Sequence, residues 1–562
     1  MRWLLIALTS LILAACGQAE DRGQVTADLV FVGGYIYTAD EGNSRVDAVA
    51  VYGDRIIYAG IRSGVEGFID EATQIINLNG AAMYPGFTDG HGHLLGIGQR
   101  ELTLNLEDIA SIVDLVERVS ERAAEAKPGE LIFGRGWIET HWPEGRFPTR
   151  QDLDPIAPDN PIILRRADGH ALVANSRALS DSGVDRDTPI PFGGDILKDE
   201  NGEPTGILID RAMALVGGHF DAPTIAYKTQ AYEIAGQVYA AYGWTGIHNM
   251  GIAPADVELV ENLSDNGTLG LRVYNSLDGN NPAVASFFAG GIHSSANGLI
   301  QTRSIKLYMD GALGSRGAAL LEPYSDADSS GLLVMEKDQV MKILLLSLRL
   351  GIQVNTHAIG DRGNRLLLDW YEEAFDAVSV GERAVGEPRW RDEHTQIVHP
   401  DDLKRFVSLG IIPSMQPSHA IGDLHFAPSR LGQERLYGAY AWQSLIDSGA
   451  IIVGGTDAPV ERGDPRIEFY AAVTRQDLTG FSGEGWHPEE AVSRADALKM
   501  FTAWPAYASF MEDDLGTIEL GKLADFSIFS GDFMTIPVME ILKADTLMTV
   551  VSGRIIYRAE GF

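Results

Sequence analysis

His91 and His93, separated by Gly92 in PGFTDGHGH (Pro85 to His93), open the set of residues best able to do chemistry. On a strand, side chains repeat with period two, so this spacing turns both imidazoles to one face. Gly92 leaves room for a metal ion close to the backbone. Two histidines are also compatible with a simple turn; the later β-like runs decide between the two. In SIKLYMDG, Lys306 lies inside an apolar run that stops at Asp310 and Gly311. An ammonium among apolar neighbours is costly unless it is paired or its charge is altered. Pairing with Asp310 meets that need, and so does carbamylation, which converts the amine into a carboxylate able to bridge two metals. GIQVNTHAIGD places His357 at the end of a strand from Ile352 to Asn355, RDEHTQIVHP offers His394 and His399, and AIIVGGTDAP puts Asp457 behind an apolar strand and a glycine pair. Catalytic groups of (β/α)8 barrels sit at the C-terminal ends of strands. Each group alone is ambiguous; five in this order are not.

The elements that must position these groups follow the same logic. From Thr88 to about Glu512, helical and strand-like segments alternate, which predicts an α/β domain with parallel strands. After the two histidines, Ile109, Ile112, Val113, Val116 and Val119 recur at helical spacing until Lys127-Pro-Gly ends the run. A loop-rich stretch at 134–170, crowded with Trp, Arg and Pro, reads as an insertion beside the barrel, with His141 on its surface and His170 as a pocket candidate. GWTGIHNMG reads as a short strand ending at His248, either a pocket group or a core histidine. From Ala27 to Phe87 the chain reads as short hairpins, and the C-terminal GRIIY echoes the GDRIIY of the first of them. The expectation is one small β-sandwich built from both termini, 26–84 with 513–562, around a barrel at 85–512 carrying an insertion at about 100–240.

The chain has 562 residues, 45% of them apolar and 22% charged, with a formal net charge of −34. That length supports one large and one or two smaller domains, and the composition is that of a globular protein. The acidic excess repels phosphates and excludes nucleic acid as an expected partner; a small-molecule substrate is expected instead. At the N-terminus, Arg2 precedes an apolar run from Leu4 to Leu13, shorter than the roughly 20 residues a membrane span requires. The run reads as an export signal, and Leu13-Ala14-Ala15-Cys16 resembles a bacterial lipobox, with lipidation at Cys16 and residues 1–16 as signal. An exported, lipid-anchored protein of the cell envelope is the resulting expectation, touching the membrane only through that anchor. Cys16 is the one cysteine, so zinc ligands must be His, carboxylate or modified Lys.

The ordered motifs HGH, IKLYMDG, VNTHAIGD, DEHTQ and GGTDAP resemble the metal-dependent amidohydrolase superfamily, in particular its branch of YtcJ-like proteins and N-substituted formamide deformylases (amidohydrolase family 3). The resemblance spans nearly all of the mature chain. It implies a distorted (β/α)8 TIM barrel with the small β-sandwich. It also implies a binuclear site in which His91, His93 and Asp457 hold one metal, His357 and His394 hold the second, and carbamylated Lys306 bridges them. His394 matches the family's IEHAQ motif better than His399, although Asp392 stands where an apolar residue is usual and Thr395 replaces Ala. Gln416 and His419 in PSMQPSHA join His170 and His248 as pocket candidates. Two Zn2+ ions are expected, with Mn, Fe or Ni as alternatives. Zinc lowers the pKa of its water to about 7. The implied reaction is therefore hydrolysis of a non-peptide C–N bond in an N-acyl, N-formyl or cyclic amide by a metal-activated hydroxide, with Asp457 as proton shuttle. An ester, lactone or ring-deamination substrate fits the same site, and a lipoprotein that binds a ligand without turnover is the remaining alternative.

Overall fold

In a computed structural model, which describes residues 25–107, 109–219, 223–482 and 486–562, eight parallel strands lie side by side in chain order. They are β1 (Phe87–Gly92), β2 (Trp244–Ile252), β3 (Arg272–Asp278), β4 (Ile300–Tyr308), β5 (Gln353–Ala358), β6 (Arg391–His394), β7 (Ile412–Met415) and β8 (Val453–Gly454). Parallel neighbours require a crossover between them, and helices supply it. Lys337–Leu350 joins β4 to β5 and buries Val340, Leu344 and Leu348 on one face, ending at Gly351 in the left-handed conformation (φ 71°). Asp361–Ala377 joins β5 to β6 and buries Leu367, Leu368, Tyr371 and Ala374.

The barrel is nearly closed. β8 meets β1 without a regular ladder, at a contact so close that a Cβ on Gly90 would lie 2.2 Å from Val453. The seam is completed just beyond β8, where the Asp457 N–H donates to the His91 carbonyl at 2.6 Å. Closure thereby brings Asp457 beside the first histidine. Asp89 locks the same seam. Its carboxylate accepts from the Thr456 hydroxyl (2.6 Å), the Thr456 N–H (2.9 Å) and the Tyr239 hydroxyl (2.8 Å), while burial raises its pKa to about 6.

Both chain ends contribute to one eight-stranded sheet. Strands Arg55–Gly60 and Arg554–Arg558, which carry the echoed GDRIIY and GRIIY, form its opposite edges. Each is the second strand of an antiparallel hairpin. In the C-terminal hairpin, Ser552 and Gly553 both have positive φ (49° and 71°), as the twist-matched two-residue turn requires. Phe31, Ile76, Met83, Phe526 and Met548 fill the core of this unit, with Phe31 edge-on to Phe526 at 5.3 Å. Cys16 lies outside the described residues.

Between β1 and β2 the structure departs from the expected loops. A six-stranded sheet occupies residues 104–210 and has its own core of Leu115, Val119, Trp137, Leu164 and Val173. Short strands broken by Arg-Arg and Asp-Gly conceal their alternation in the sequence. The first helix after β1 is Leu94–Leu102, and the helix expected from Ile109 begins at Ile112, capped by the Ser111 side chain. Its buried face is Ile112, Leu115 and Val119, whereas Val113 points into solvent. The strand holding His248 runs on to Ile252.

Candidate metal centre

His91, at the C-terminal end of β1, is fully buried, and its Nδ1 lies 2.5 Å from the Glu393 carboxylate. Since a carboxylate can only accept, Nδ1 carries the proton and Nε2 is the nitrogen left for a ligand. It faces Lys306 Nζ at 3.3 Å and Asp457 Oδ1 at 3.5 Å. His93 lies just past the strand end, where its Nδ1 donates to the Met250 carbonyl at 2.9 Å. His394 repeats the pattern. Its Nδ1 meets Gln416 Oε1 at 2.8 Å, and the Gln416 orientation is fixed because its Nε2 donates to the Ser414 carbonyl at 3.3 Å. Burial, reinforced by Lys306, lowers the His91 pKa to about 4. Burial likewise lowers those of His394 and His357 well below the ordinary value. These are neutral imidazoles, the form that binds metals.

Asp457 sits among them. Its Oδ1 lies 2.9 Å from His93 Nε2 yet has no hydrogen-bond partner. His93 Nε2 and this oxygen therefore face each other at contact distance, both turned to the point where a bound cation would sit. One donor atom from each of His91, His394 and Asp457 lies within 4.8 Å of the others. This nitrogen and oxygen donor set fits zinc and neighbouring divalent metals. His357 packs beside His394, ring centroids 4.6 Å apart. Its Nε2 points at the Gly311 carbonyl (3.5 Å), so Nδ1 is the nitrogen it can offer. His394 and Asp457 both have positive φ (80° and 57°), an uncommon conformation outside glycine that clusters at functional positions. At His394 it has a geometric consequence. Adjacent strand residues face opposite sides, but the turn in the backbone lets Glu393 and His394 both reach the centre.

Lys306, near the end of β4, is about 1% exposed. Burial lowers its pKa to about 8, against the opposing pull of Glu393 and Asp457. The pairing of Lys306 with Asp310 is not formed. Asp310 instead accepts the N–H groups of Ala319, Ile359 and Gly360 at 2.8, 3.0 and 2.8 Å. Among the described residues, Lys306 makes no ion pair with a carboxylate.

Two supporting residues were missed by the sequence reading. Arg391 and Glu393 share the inner face of β6 and are fully buried. Arg391 Nη2 donates to Glu393 Oε2 (3.1 Å), the Gly90 carbonyl (2.6 Å) and Ser414 Oγ (2.6 Å). Its Nε lies 2.7 Å from Glu393 Oε1 off the hydrogen-bonding direction, so that contact is electrostatic. Burial opposes charge on Glu393, but Arg391 and then His91 hold its carboxyl well below the usual range. Arg391 thus keeps Glu393 ionised, and Glu393 fixes the His91 tautomer. Two like-facing charges at i and i+2 in a strand next to His394 were the available signal. On the opposite face, burial and the Glu393 charge raise the pKa of Asp392 well above normal.

A cavity of about 600 Å³ opens over the centre, with His93, Lys306, His357, His394 and Asp457 among its lining. His170 and His419 also line it. Burial opposes protonation of His170, but Asp210 at 2.6 Å raises its pKa to about 9. Of the other two pocket candidates, neither His248 nor Gln416 is among the lining residues. His248 is a core residue whose Nδ1 accepts from Arg391 Nη1 (2.7 Å), and Gln416 orients His394. His399 caps the short helix Pro400–Asp402, away from the centre. Of the crowded insertion, Arg166 reaches the cavity, while Trp137 and Trp142 pack on each other at 6.1 Å in the inserted core.

The profile of the amidohydrolase family matches residues 74–557. YtcJ of Bacillus subtilis strain 168, an amidohydrolase by name, is 31% identical over 94% of this chain and 99% of its own. The N-substituted formamide deformylase of Arthrobacter pascens is 27% identical over 95% and 99%. Among solved structures, an uncharacterised metal-dependent hydrolase from Pyrococcus horikoshii superposes with a TM-score of 0.73 at 26% identity, covering 91% of this chain and 99% of that one.

Proposed function

This chain belongs to the amidohydrolase family, and from that premise we propose that it hydrolyses a non-peptide C–N bond, in an N-acyl, N-formyl or cyclic amide, at a centre of divalent metal. The observation that carries this reading is the facing pair of His93 Nε2 and Asp457 Oδ1 at 2.9 Å, flanked by imidazoles whose other nitrogens are engaged. The relative named for deformylation of N-substituted formamides supports the choice of bond.

In this proposal His91, His93 and Asp457 hold one ion, and His357 and His394 a second. A bound divalent metal supplies Lewis acidity towards water and a carbonyl oxygen. The protein supplies orientation and proton transfer. Glu393, Met250 and Gln416 fix the rings; the cavity walls hold the acyl group above them. Asp457 accepts the proton of the attacking water as the new C–O bond forms. It then delivers that proton to the nitrogen as the C–N bond breaks, because an amine departs far more readily than an amide anion. The net change is amide plus water to carboxylic acid plus amine. Reading residues 1–16 as an export signal would put this reaction in the cell envelope.

Removal of metal by chelation is expected to lower amide hydrolysis at least tenfold, and Zn2+ to restore it. Activity that survives complete metal removal would sink the proposal. A second expectation concerns Lys306. Its depressed pKa leaves a fraction of free amine near neutral pH, able to attack CO2 and lose a proton to give a carbamate that would bridge two ions. Wild-type protein loaded in 13C-bicarbonate should show a carbamate resonance that Lys306→Ala lacks. An active, metal-loaded enzyme without that resonance would rule the modification out.

A further inference from the structure

Two arginines of the inserted sheet stand side by side without an acid between them. Strands Ile132–Trp137 and Ile162–Arg166 run parallel, and their register pairs Arg135 with Arg165. Register partners on adjacent strands share a face of the sheet about 4.8 Å apart, so the two side chains leave it together. Like charges so placed repel each other. Arg135 makes one hydrogen bond, from Nη2 to the Ala167 carbonyl at 3.2 Å, and its Nε has none. Arg165 Nε is likewise unpartnered, and among the described residues its guanidinium meets neither a carboxylate nor a carbonyl. Both arginines are half-buried. Burial lowers the pKa of each, that of Arg135 to about 10 with the Arg165 charge adding to the effect. Acidic residues outnumber Lys and Arg by 78 to 44, so a shortage of carboxylates does not explain the unmatched pair. The next residue, Arg166, takes two of them, Glu139 at 2.8 Å and Asp168 at 2.5 Å.

The contacts of Arg135 place the pair beside the cavity. Gly136, its neighbour in sequence, lines the cavity, as do Ala167, Asp168 and His170. Held to the Ala167 carbonyl, the Arg135 guanidinium lies against the back of that wall. The Asp457 charge favours its protonated form, which puts it within electrostatic range of the metal centre. The wall is thinnest at Gly169, the one residue of the 167–170 segment without a side chain. Beyond its chain neighbours, a Cβ built on Gly169 would find a single heavy atom within 4 Å, Arg135 Nη2 at 3.8 Å. The guanidinium therefore borders open space at that point.

We propose that Arg135 and Arg165 form a carboxylate-binding subsite beside the metal centre, and that the substrate is an amide that also bears a carboxylate. The proposal rests on the hydrolytic reading above and names its substrate class. Two planar forks of N–H donors on neighbouring strands match the two oxygens of a carboxylate. An anion between them supplies the missing counter-charge and relieves the repulsion of the pair. Neither arginine touches the reacting atoms; together they select and orient the substrate. In a protein of net charge −34 the surface at large repels an anion, so its recognition depends on a local pair of this kind.

The test uses the N-formyl derivatives of glycine, β-alanine, 4-aminobutanoate and 6-aminohexanoate, each compared with its carboxamide, which keeps the shape and loses the charge. In metal-loaded wild type, at least one acid is expected to exceed its carboxamide in kcat/KM by about tenfold or more. The ratio should fall towards one in Arg135→Gln and in Arg165→Gln and be partly kept in Arg165→Lys. Because both compounds are read on the same preparation, the ratio is independent of the folded fraction. The subsite is overturned if no acid is preferred at any length, or if a preference survives both substitutions to Gln. If nothing in the series is hydrolysed, the reaction proposed above is what fails for these substrates. The subsite is then judged by calorimetric titration of the same pairs: tighter binding of an acid that is lost in Arg135→Gln supports it, and equal affinity in wild type overturns it. Inorganic phosphate that binds through both arginines without displacing any of the acids would place an independent anion there and overturn the assignment to substrate.

Discussion

Asp457→Asn is expected to lower kcat for amide hydrolysis by about 10³-fold, since a positioned general acid–base contributes about 10²- to 10⁴-fold and this residue also contributes a metal-facing oxygen. The substitution is nearly isosteric and removes charge and basicity without removing volume. Among the described residues no backbone N–H donates to the Asp457 carboxylate, whereas its own N–H is tied to the His91 carbonyl at 2.6 Å. The barrel seam should therefore survive. Steady-state kinetics together with metal content by atomic spectroscopy separate the two contributions. Loss of activity with metal retained isolates proton transfer; loss of both identifies a ligand role. A variant within tenfold of wild type would mean that Asp457 neither shuttles the proton nor holds the ion.

Arg391→Met should destabilise the metal-free protein by about 3–5 kcal/mol, the cost of leaving a buried charge without its partner. Glu393 has 0% exposure, and Arg391 is its principal counter-charge. Met fills comparable space but leaves Glu393, the Gly90 carbonyl, Ser414 Oγ and His248 Nδ1 without their donor. Denaturant midpoints on metal-free samples keep ligand binding from contributing to the difference. Adding Glu393→Gln to Arg391→Met should recover part of the loss, because the stranded charge is gone. A cost of less than about 1 kcal/mol for Arg391→Met would show that the pair does not carry the burden assigned to it here.

Legibility in the sequence followed chemistry and range. HGH and GGTDAP stand out as candidates because the residue types able to hold a metal are few and these fall at strand ends. The parallel barrel was visible because helices and strands alternate over long, periodic segments. Glu393 was not visible, since a carboxylate beside an arginine in RDEH reads as a solvated pair until burial is known. In the sequence His248 reads either as a pocket group or as a core histidine, and Gln416 as a pocket candidate through the family-like setting of PSMQPSHA. In the fold, both groups turn to support others, one under Arg391 and one behind His394. The inserted sheet was read as loops because its strands are short and its Arg, Asp and Gly residues interrupt the alternation that marks a strand.

Residue order therefore carried the candidate ligand set, the amidohydrolase architecture and the echo between the two termini, all of which depend on local pattern and residue type. Three-dimensional packing decided the rest. Which imidazole nitrogen is free depends on Glu393, 302 residues from His91, and on Met250, 157 residues from His93. Whether Lys306 is paired depends on where Asp310 turns. Such outcomes are contests among distant groups for the same hydrogen bonds and charges. They are settled by which groups the closed barrel brings within a few ångströms, a quantity that no local stretch of sequence contains.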